Sequence, residues 1–335
     1  MDSTRKVTII TGAYPPKVCG VGDYTAKLIA ELRKLSSFEI DLFYKDTWSL
    51  KYLINYIREL LSRKSNFYHL QYPTEGYGYS VLPLLLLLLL PYHKRIVTIH
   101  EFSSRNLSAY IYTGFLVFFS AKTIVTNALE YKHACRFTLN KKKVHVIPIA
   151  SNISASANAN RKFSDREIDL AYFGHIRPIK GLEDFIYTRG LIKQRINCKI
   201  IGQSLDNYRD FFNTIQNRAT EYQIEMVANR SQDVVEGLLA NTKILYLPYP
   251  DGISNRRGTL LAGIQNGCVI VSRYSQHKDF NNFFKDHCHL VKNNDEAAIT
   301  IENILFGKSE HKSTEALRVI FSWKNVVAKH QSLYQ

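Results

Sequence analysis

Short runs of β-branched and aromatic residues alternate along the chain with longer stretches whose apolar positions recur at three- and four-residue spacing. In the first half the short runs fall at residues 7–11, 40–44, 67–71, 96–99, 123–126 and 144–147. In the second half they fall at 168–173, 198–201, 223–227, 244–247, 269–272 and 289–291. Helical periodicity marks residues 24–35, 50–61, 107–119, 182–193, 208–218, 234–240 and 260–266, with Leu28, Ile29, Leu32 and Leu35 striping the first of these. Strands joined by helix-length connections predict βαβ units and parallel sheets. The alternation is interrupted once, by SNISASANANRKFSDR at residues 151–166, which has the composition of a linker. The expected fold is α/β: two Rossmann-like, doubly wound domains facing each other across a cleft. They occupy residues 1–152 and 165–320, with a linker at 153–164 and a closing helix at 321–335. In open α/β sheets ligands bind outside the carboxyl ends of the strands, so the loops at those ends are where chemistry is expected.

Composition supports two full cores. The chain has 335 residues, 45% hydrophobic and 22% charged, with 21 Tyr and 18 Phe, which excludes disorder. A formal charge of +15 calls for an anionic partner. Zinc-finger spacing, basic-region heptads and an RNA-binding aromatic pair are all missing, so nucleic acid is not expected. Positive charge is spread along the chain, and its one dense cluster, Lys141-Lys142-Lys143, reads as a solvated loop. Cys19, Cys135, Cys198, Cys268 and Cys288 lie far apart, with neither metal-ligand nor disulfide spacing, which suits a reducing cytosol. Residues 1–6 are polar and lead straight into a strand, so no signal peptide is expected. The aliphatic run from Val81 to Leu90 is shorter than the about 20 residues needed to span a bilayer. It reads as a buried helix, or else as a shallow docking element on an anionic membrane.

Four segments carry candidate chemistry. After the first strand comes Gly12-Ala13-Tyr14-Pro15-Pro16-Lys17-Val18-Cys19-Gly20-Val21-Gly22-Asp23-Tyr24, whose glycines let backbone amides approach an anion closely, unless they serve only a turn. Its spacing is not the three-glycine dinucleotide fingerprint, which disfavours a nicotinamide cofactor. After strand 168–173 comes Gly174-His175-Ile176-Arg177-Pro178-Ile179-Lys180-Gly181. There Lys180 suits a phosphate as a point charge and Arg177 as a bidentate partner, the alternative being a solvated loop. Asp251-Gly252-Ile253-Ser254-Asn255-Arg256-Arg257-Gly258-Thr259 follows strand 244–247 and opens a helix, a combination that presents several donors to a diphosphate. His100-Glu101 ends strand 96–99, where His100 either bonds a sugar hydroxyl or phosphate oxygen or is structural.

In order, and over nearly the whole chain, these segments resemble the family-4 glycosyltransferases, retaining enzymes of the GT-B fold. The resemblance rests on Gly20-Val21-Gly22-Asp23-Tyr24, His100-Glu101, the stretch from Gly174 to Gly181, the arginine loop and the closing Phe321-Ser322-Trp323 helix. The stretch from Asp251 to Leu261 is similar to a bacterial branch involved in surface polysaccharide assembly. The resemblance implies a nucleotide-sugar as co-substrate, no cofactor and no metal, and a saccharide or lipid-linked saccharide as acceptor. The scattered cysteines point to work in the cytoplasm, and the basic charge with the Leu-rich run from Val81 to peripheral contact at the inner face of the cytoplasmic membrane. Donor diphosphate contacts would come from Gly20, Val21, Gly22, Arg177, Lys180, Ser254, Asn255, Arg256, Arg257 and Gly258. His100 and Lys180 would be the catalytic pair, His100 beside the donor sugar and Lys180 stabilising the departing diphosphate. Asp23, Glu75 and Glu101 would face acceptor or sugar, and the last helix would cross back to the first domain. The sequence departs from the family at His175, where an arginine is usual, and at Cys19, where a glycine is. It departs again at Ser254 and Ala262, which stand where the family has a glutamate pair whose second member holds the nucleotide ribose. That last departure admits a non-catalytic GT-B-derived binding or scaffold protein, and the architecture also admits a phosphorylase or an epimerase.

Overall fold

The computed structural model describes residues 4–17 and 19–335; residues 1–3 of the polar amino-terminal segment and Val18 of the first glycine loop lie outside the described residues. The chain divides into two compact units, Met1–Asn152 with Trp323–Gln335, and Ile153–Ser322.

The first unit runs β1 (Arg5–Thr11), α1 (Gly20–Leu32), β2 (Phe38–Tyr44), α2 (Leu53–Ser62), β3 (Phe67–Tyr72), α3 (Leu82–Leu89), β4 (Arg95–Ile99), α4 (Leu107–Phe119), β5 (Lys122–Val125), α5 (Ala128–Ala134) and β6 (Val144–Val146). The second runs β7 (Ile168–Phe173), α6 (Leu182–Leu191), β8 (Cys198–Gly202), α7 (Arg209–Glu221), β9 (Ile224–Ala228), α8 (Gln232–Ala240), β10 (Thr242–Leu247), α9 (Gly258–Gln265), β11 (Val269–Arg273), α10 (Lys278–Phe284), β12 (His289–Val291), α11 (Asn294–Leu305) and α12 (Glu315–Ile320). The last helix, α13 (Trp323–Leu333), belongs to the first unit. Both sheets are six-stranded and parallel, ordered β2-β1-β3-β4-β5-β6 and β12-β11-β10-β7-β8-β9.

Sheets of this kind are covered on both faces, so their strands are apolar on both sides. In β1, Val7 and Ile9 join the layer of Leu28, Ile29 and Leu32 from α1, while Ile10 joins the opposite layer with Tyr68, Leu70 and Leu86. Val326, Val327 and Tyr334 complete the α1 layer from the chain end, with Tyr334 edge-on to Phe38. In the second unit Leu170, Phe185, Ile244, Tyr246, Val271 and Ile301 form one continuous cluster.

The aliphatic run from Val81 is α3, with Pro83 in its first turn and Leu82, Leu86, Leu87 and Leu90 buried. It is thus chiefly an interior helix, the first of the two readings of this run, with Leu89 left exposed. Helix α1 begins at Gly20, earlier than periodicity indicates, because Gly22 lies against the Ala13 backbone; a Cβ there would stand 3.0 Å from the Ala13 carbonyl oxygen. The Ser/Asn-rich stretch is held on the second unit. Asn266 Oδ1 accepts from the Ser156 amide at 2.9 Å, and Ala159 is buried. Helices α5 and α11 escape the periodicity reading but are capped by Asn127 and Asn293, each with a glutamate three residues on.

Trp48 and Trp323, the chain's two tryptophans, both lie in the first unit, so tryptophan fluorescence reports that unit alone. Tyr334→Ala should lower its stability against urea by about 3–5 kcal/mol through lost packing. Tyr334→Phe, which strips a partner from buried His69, should cost about 1–3 kcal/mol.

Candidate functional site

In the second unit, β7 and β10 are paired in parallel, Leu170 opposite Ile244, so the loops that leave their carboxyl ends are neighbours. The contact between them is tight. Gly181 has φ +81°, and a Cβ on it would meet the Pro248 carbonyl oxygen at 2.1 Å. Ile179, exposed in the same loop, also takes the left-handed region at φ 62°, a costly conformation for a β-branched residue. Gly252, at φ +80°, allows the second loop to lie along Tyr274 just past β11; a Cβ there would fall 2.2 Å from the Tyr274 carbonyl oxygen.

Cations collect where these loops meet. Burial, then the Arg177 and Arg257 guanidiniums, lower the Lys180 pKa, while Asp251 opposes them. Burial, Arg177 and Lys180 lower that of His175 in the same way. Arg257 is bonded to Asp251 and lies 4.8 Å over the Tyr249 ring. Tyr249 in turn shares a 2.6 Å hydroxyl–hydroxyl bond with Thr259. Two buried polar atoms, Arg177 Nε and Asn255 Oδ1, have no hydrogen-bond partner among the described residues. Helix α9 starts at Gly258 with no acidic residue in its first turn and open space beside Gly258. The first turn of α6 instead carries Glu183 and Asp184. An anion is therefore favoured at the start of α9. Ser254 is buried, and Ala262 is wholly enclosed on α9.

In the first unit the loops after β1, β3 and β4 gather in the same way. A Cβ on Gly76 would fall 1.4 Å from the Gly12 carbonyl oxygen, and the His100 amide donates to the Tyr72 carbonyl at 2.8 Å. Buried Glu130 fixes the stretch after His100 by accepting from the amides of Phe102 (3.0 Å) and Ser103 (2.9 Å). Gly20, Val21 and Gly22 precede the first intrahelical bond of α1, from the Asp23 amide to the Cys19 carbonyl, so they carry the donors that the helix itself leaves over.

His100 is buried and donates from Nε2 to Gln71 Oε1 at 2.9 Å, which leaves Nδ1 as an acceptor. Gln71 Nε2 donates to His69 Nε2 at 3.0 Å. His69 Nδ1 bonds the Tyr334 hydroxyl at 2.6 Å, and Thr98 Oγ1 stands 2.6 Å from Nε2. The Tyr24 ring meets His100 edge-on at 5.1 Å, and Trp323 stacks on Tyr24. Burial, reinforced by His330, pushes the His100 pKa down to about 3. At neutral pH His100 is thus an uncharged hydrogen-bond acceptor, suited to a sugar hydroxyl rather than to a phosphate oxygen.

Glu75 and Asp23 are exposed, and Glu101 is bonded by the Ser104 hydroxyl. Sequence reasoning missed the support of His100. His69 and Gln71, two residues apart on one strand and so on the same face, were the available signal. It also missed Arg105, whose guanidinium lies 5.2 Å over the Tyr72 ring with its Nε buried and unpartnered among the described residues.

No family model matches the sequence, and no curated protein matches it. Solved structures do match over the full length. A glycosyltransferase from Rickettsia africae ESF-5 superposes with a TM-score of 0.74 at 12% identity, covering 99% of this chain and 98% of that one. The fold is GT-B. Anabaena HepE, in complex with UDP and glucose, matches with a TM-score of 0.63 at 10% identity, over 99% and 96% of the two chains. So does the UDP-GlcNAc 2-epimerase from Methanocaldococcus jannaschii, with a TM-score of 0.63 at 14% identity, over 98% and 99%. GT-B architecture thus hosts more than one chemistry, and the residues at the strand ends must choose among them.

Three buried histidines give the first unit a pH signature. In the fold, burial lowers His69 well below its ordinary 6.5, His330 to about 4 and His100 to about 3. Below about pH 6.5 the unfolded chain takes up protons that the native state refuses, so stability falls as pH falls, by about 1.4 kcal/mol per pH unit for each histidine. The midpoint of thermal unfolding followed by tryptophan fluorescence should drop from pH 6.5 toward 4, with a shallower slope in His330→Leu.

Proposed function

We propose that this chain is a retaining, metal-independent glycosyltransferase of the family-4 type, transferring a sugar from a nucleotide-sugar to a saccharide or lipid-linked saccharide in bacterial surface polysaccharide synthesis. The observation that carries the proposal is the gathering of Lys180, whose pKa burial and the Arg177 and Arg257 guanidiniums lower, with those two arginines beside the acid-free start of α9. Like charges held together in a half-buried setting are stabilised by a bound anion such as a diphosphate. As the bond from the sugar's anomeric carbon to the diphosphate oxygen breaks, negative charge grows on that oxygen, and Lys180, Arg177, Arg257 and the α9 amides favour it. The acceptor hydroxyl bonds the anomeric carbon on the vacated face and passes its proton to the departing diphosphate. His100, neutral and oriented by Gln71, accepts a bond from a sugar hydroxyl. HepE, with its bound UDP and glucose, lends support to the choice of donor. The burial of Ala262 favours a second reading, a binding protein without turnover, because that position offers no group to a ribose.

In this proposal the protein works in the cytoplasm, peripherally at the inner face of the cytoplasmic membrane, and its lipid contact is α4. That helix has no charged residue, and Leu107, Ile111, Phe115 and Phe118 are all exposed on its outer side. An apolar outer stripe is unusual for a water-facing helix. Cations flank it. Lys143 is tied to the Phe118 and Ser120 carbonyls, with Lys141 and Lys142 exposed beside it, and Arg95 bonds the Phe119 carbonyl. No helix among the described residues is long and apolar enough to cross a membrane.

A panel of nucleotide sugars in calorimetry should give one donor that binds, weakened at least about tenfold by Lys180→Ala. If no donor binds, the proposal fails; if a donor binds but is never turned over with any acceptor, the binding-protein reading stands. Phe115→Ser with Phe118→Ser should cut sedimentation with anionic vesicles at least about tenfold while leaving donor affinity intact.

A further inference from the structure

A cavity of about 410 Å³ opens on the second unit at the opposite edge of its sheet from the donor loops. It lies beside Arg166, just before β7, and Val269, the first residue of β11, so it faces the amino-terminal ends of the strands. Arg161, Phe163, Arg166, His311, Lys312 and Arg318 line it.

Arg166 is only 4% exposed, yet no carboxylate pairs with it among the described residues. Nη1 donates to the carbonyls of Thr242 (2.8 Å) and Asn266 (3.1 Å), and Nη2 to those of Ala159 (3.1 Å) and Arg161 (3.3 Å). Its donors are satisfied, but its charge is not balanced, and a buried charge ordinarily is. Arg161 and Arg318 add to the imbalance, since both lie close enough to lower the Arg166 pKa, which burial has already depressed. Lys312 Nζ is held by the carbonyls of Lys285 and Cys288, with no acid among the described residues. Against these four permanent cations the lining offers one carboxylate, Glu315, which bonds Arg318 Nη1 at 2.9 Å and is otherwise exposed. Phe163 and His311 stack with ring centroids 4.7 Å apart, forming an aromatic wall of the cavity.

We propose that this cavity binds a small phosphorylated molecule, at a site separate from the donor loops. The phosphate balances Arg161, Lys312 and Arg318 at the rim, taking the place of Glu315 on Arg318, while Arg166 supplies fixed positive potential from beneath. The organic part rests on the Phe163–His311 wall. The volume lies near the lower end of ordinary small-molecule pockets, which suits a sugar phosphate better than a whole nucleotide-sugar.

The test is calorimetry on the full chain with inorganic phosphate, pyrophosphate and glucose 6-phosphate as probes. Arg161→Ala/Arg318→Ala alters the rim, Lys312→Gln is a milder second change, and Lys180→Ala/Arg257→Ala controls for the donor loops; circular dichroism checks folding. At least one probe should bind saturably at one site, at least about tenfold more weakly in the rim double variant and severalfold more weakly in Lys312→Gln. The donor-loop variant should keep that binding within about twofold. Glucose 6-phosphate binding better than inorganic phosphate, with the difference lost in Phe163→Ala, assigns the wall its role. Saturable binding of none of the probes overturns the proposal. So does binding lost in the donor-loop variant, or binding kept in both rim variants.

Discussion

The pairing of β7 with β10 is the constraint on which the candidate donor site depends. These strands lie more than seventy residues apart in sequence, and parallel pairing sends both chains off the sheet at the same edge. Only then does Lys180 fall within electrostatic reach of Arg257. Gly181 closes the approach, because any side chain at that position would enter the Pro248 carbonyl. The first unit repeats the arrangement with β1, β3 and β4, whose carboxyl ends bring Gly12, Gly76 and His100 into one region. One rule of sheet topology therefore builds both sets of loops.

The two regions are electrostatic opposites. Beneath His100 lies a buried polar chain, Gln71, His69, Thr98 and Tyr334, in which every ring is held neutral and hydrogen bonding sets orientation. Such a network rigidifies when satisfied and is costly when broken, which makes it a means of fixing one tautomer rather than a source of charge. The loops around Lys180 instead concentrate positive charge, with the buried donor Arg177 Nε left without a partner among the described residues.

The overall charge of +15 is likewise not uniform in meaning. Part of it is structural: Arg95 ties the ends of α3 and α4 through the carbonyls of Leu88 and Phe119, and Arg166 ties the Ser/Asn-rich stretch to β10. Part flanks the apolar face of α4, and part lines the cavity beneath the second sheet. A residue count sums these roles and distinguishes none of them.

The sequence by itself determined the local alphabet. β-Branched runs marked the twelve strands of the described residues, helical spacing marked α1, α2, α4, α6, α7, α8 and α9, and glycine- and arginine-bearing loops were legible because each is a contiguous motif. Where it fell short locally, at α5 and α11, the signal was present as an asparagine with a glutamate three residues on, but periodicity alone does not register a cap. Tertiary structure decided everything that depends on neighbours remote in the chain. Helices α3 and α4 are both uncharged and apolar, and nothing in either sequence says that α3 buries Leu82, Leu86 and Leu87 while α4 leaves Phe115 and Phe118 in the open. The same holds for His69 meeting Tyr334, and for three arginines gathering around a cavity. Burial and electrostatic environment arise from long-range packing, and one-dimensional spacing carries no record of which surfaces the folded chain brings face to face.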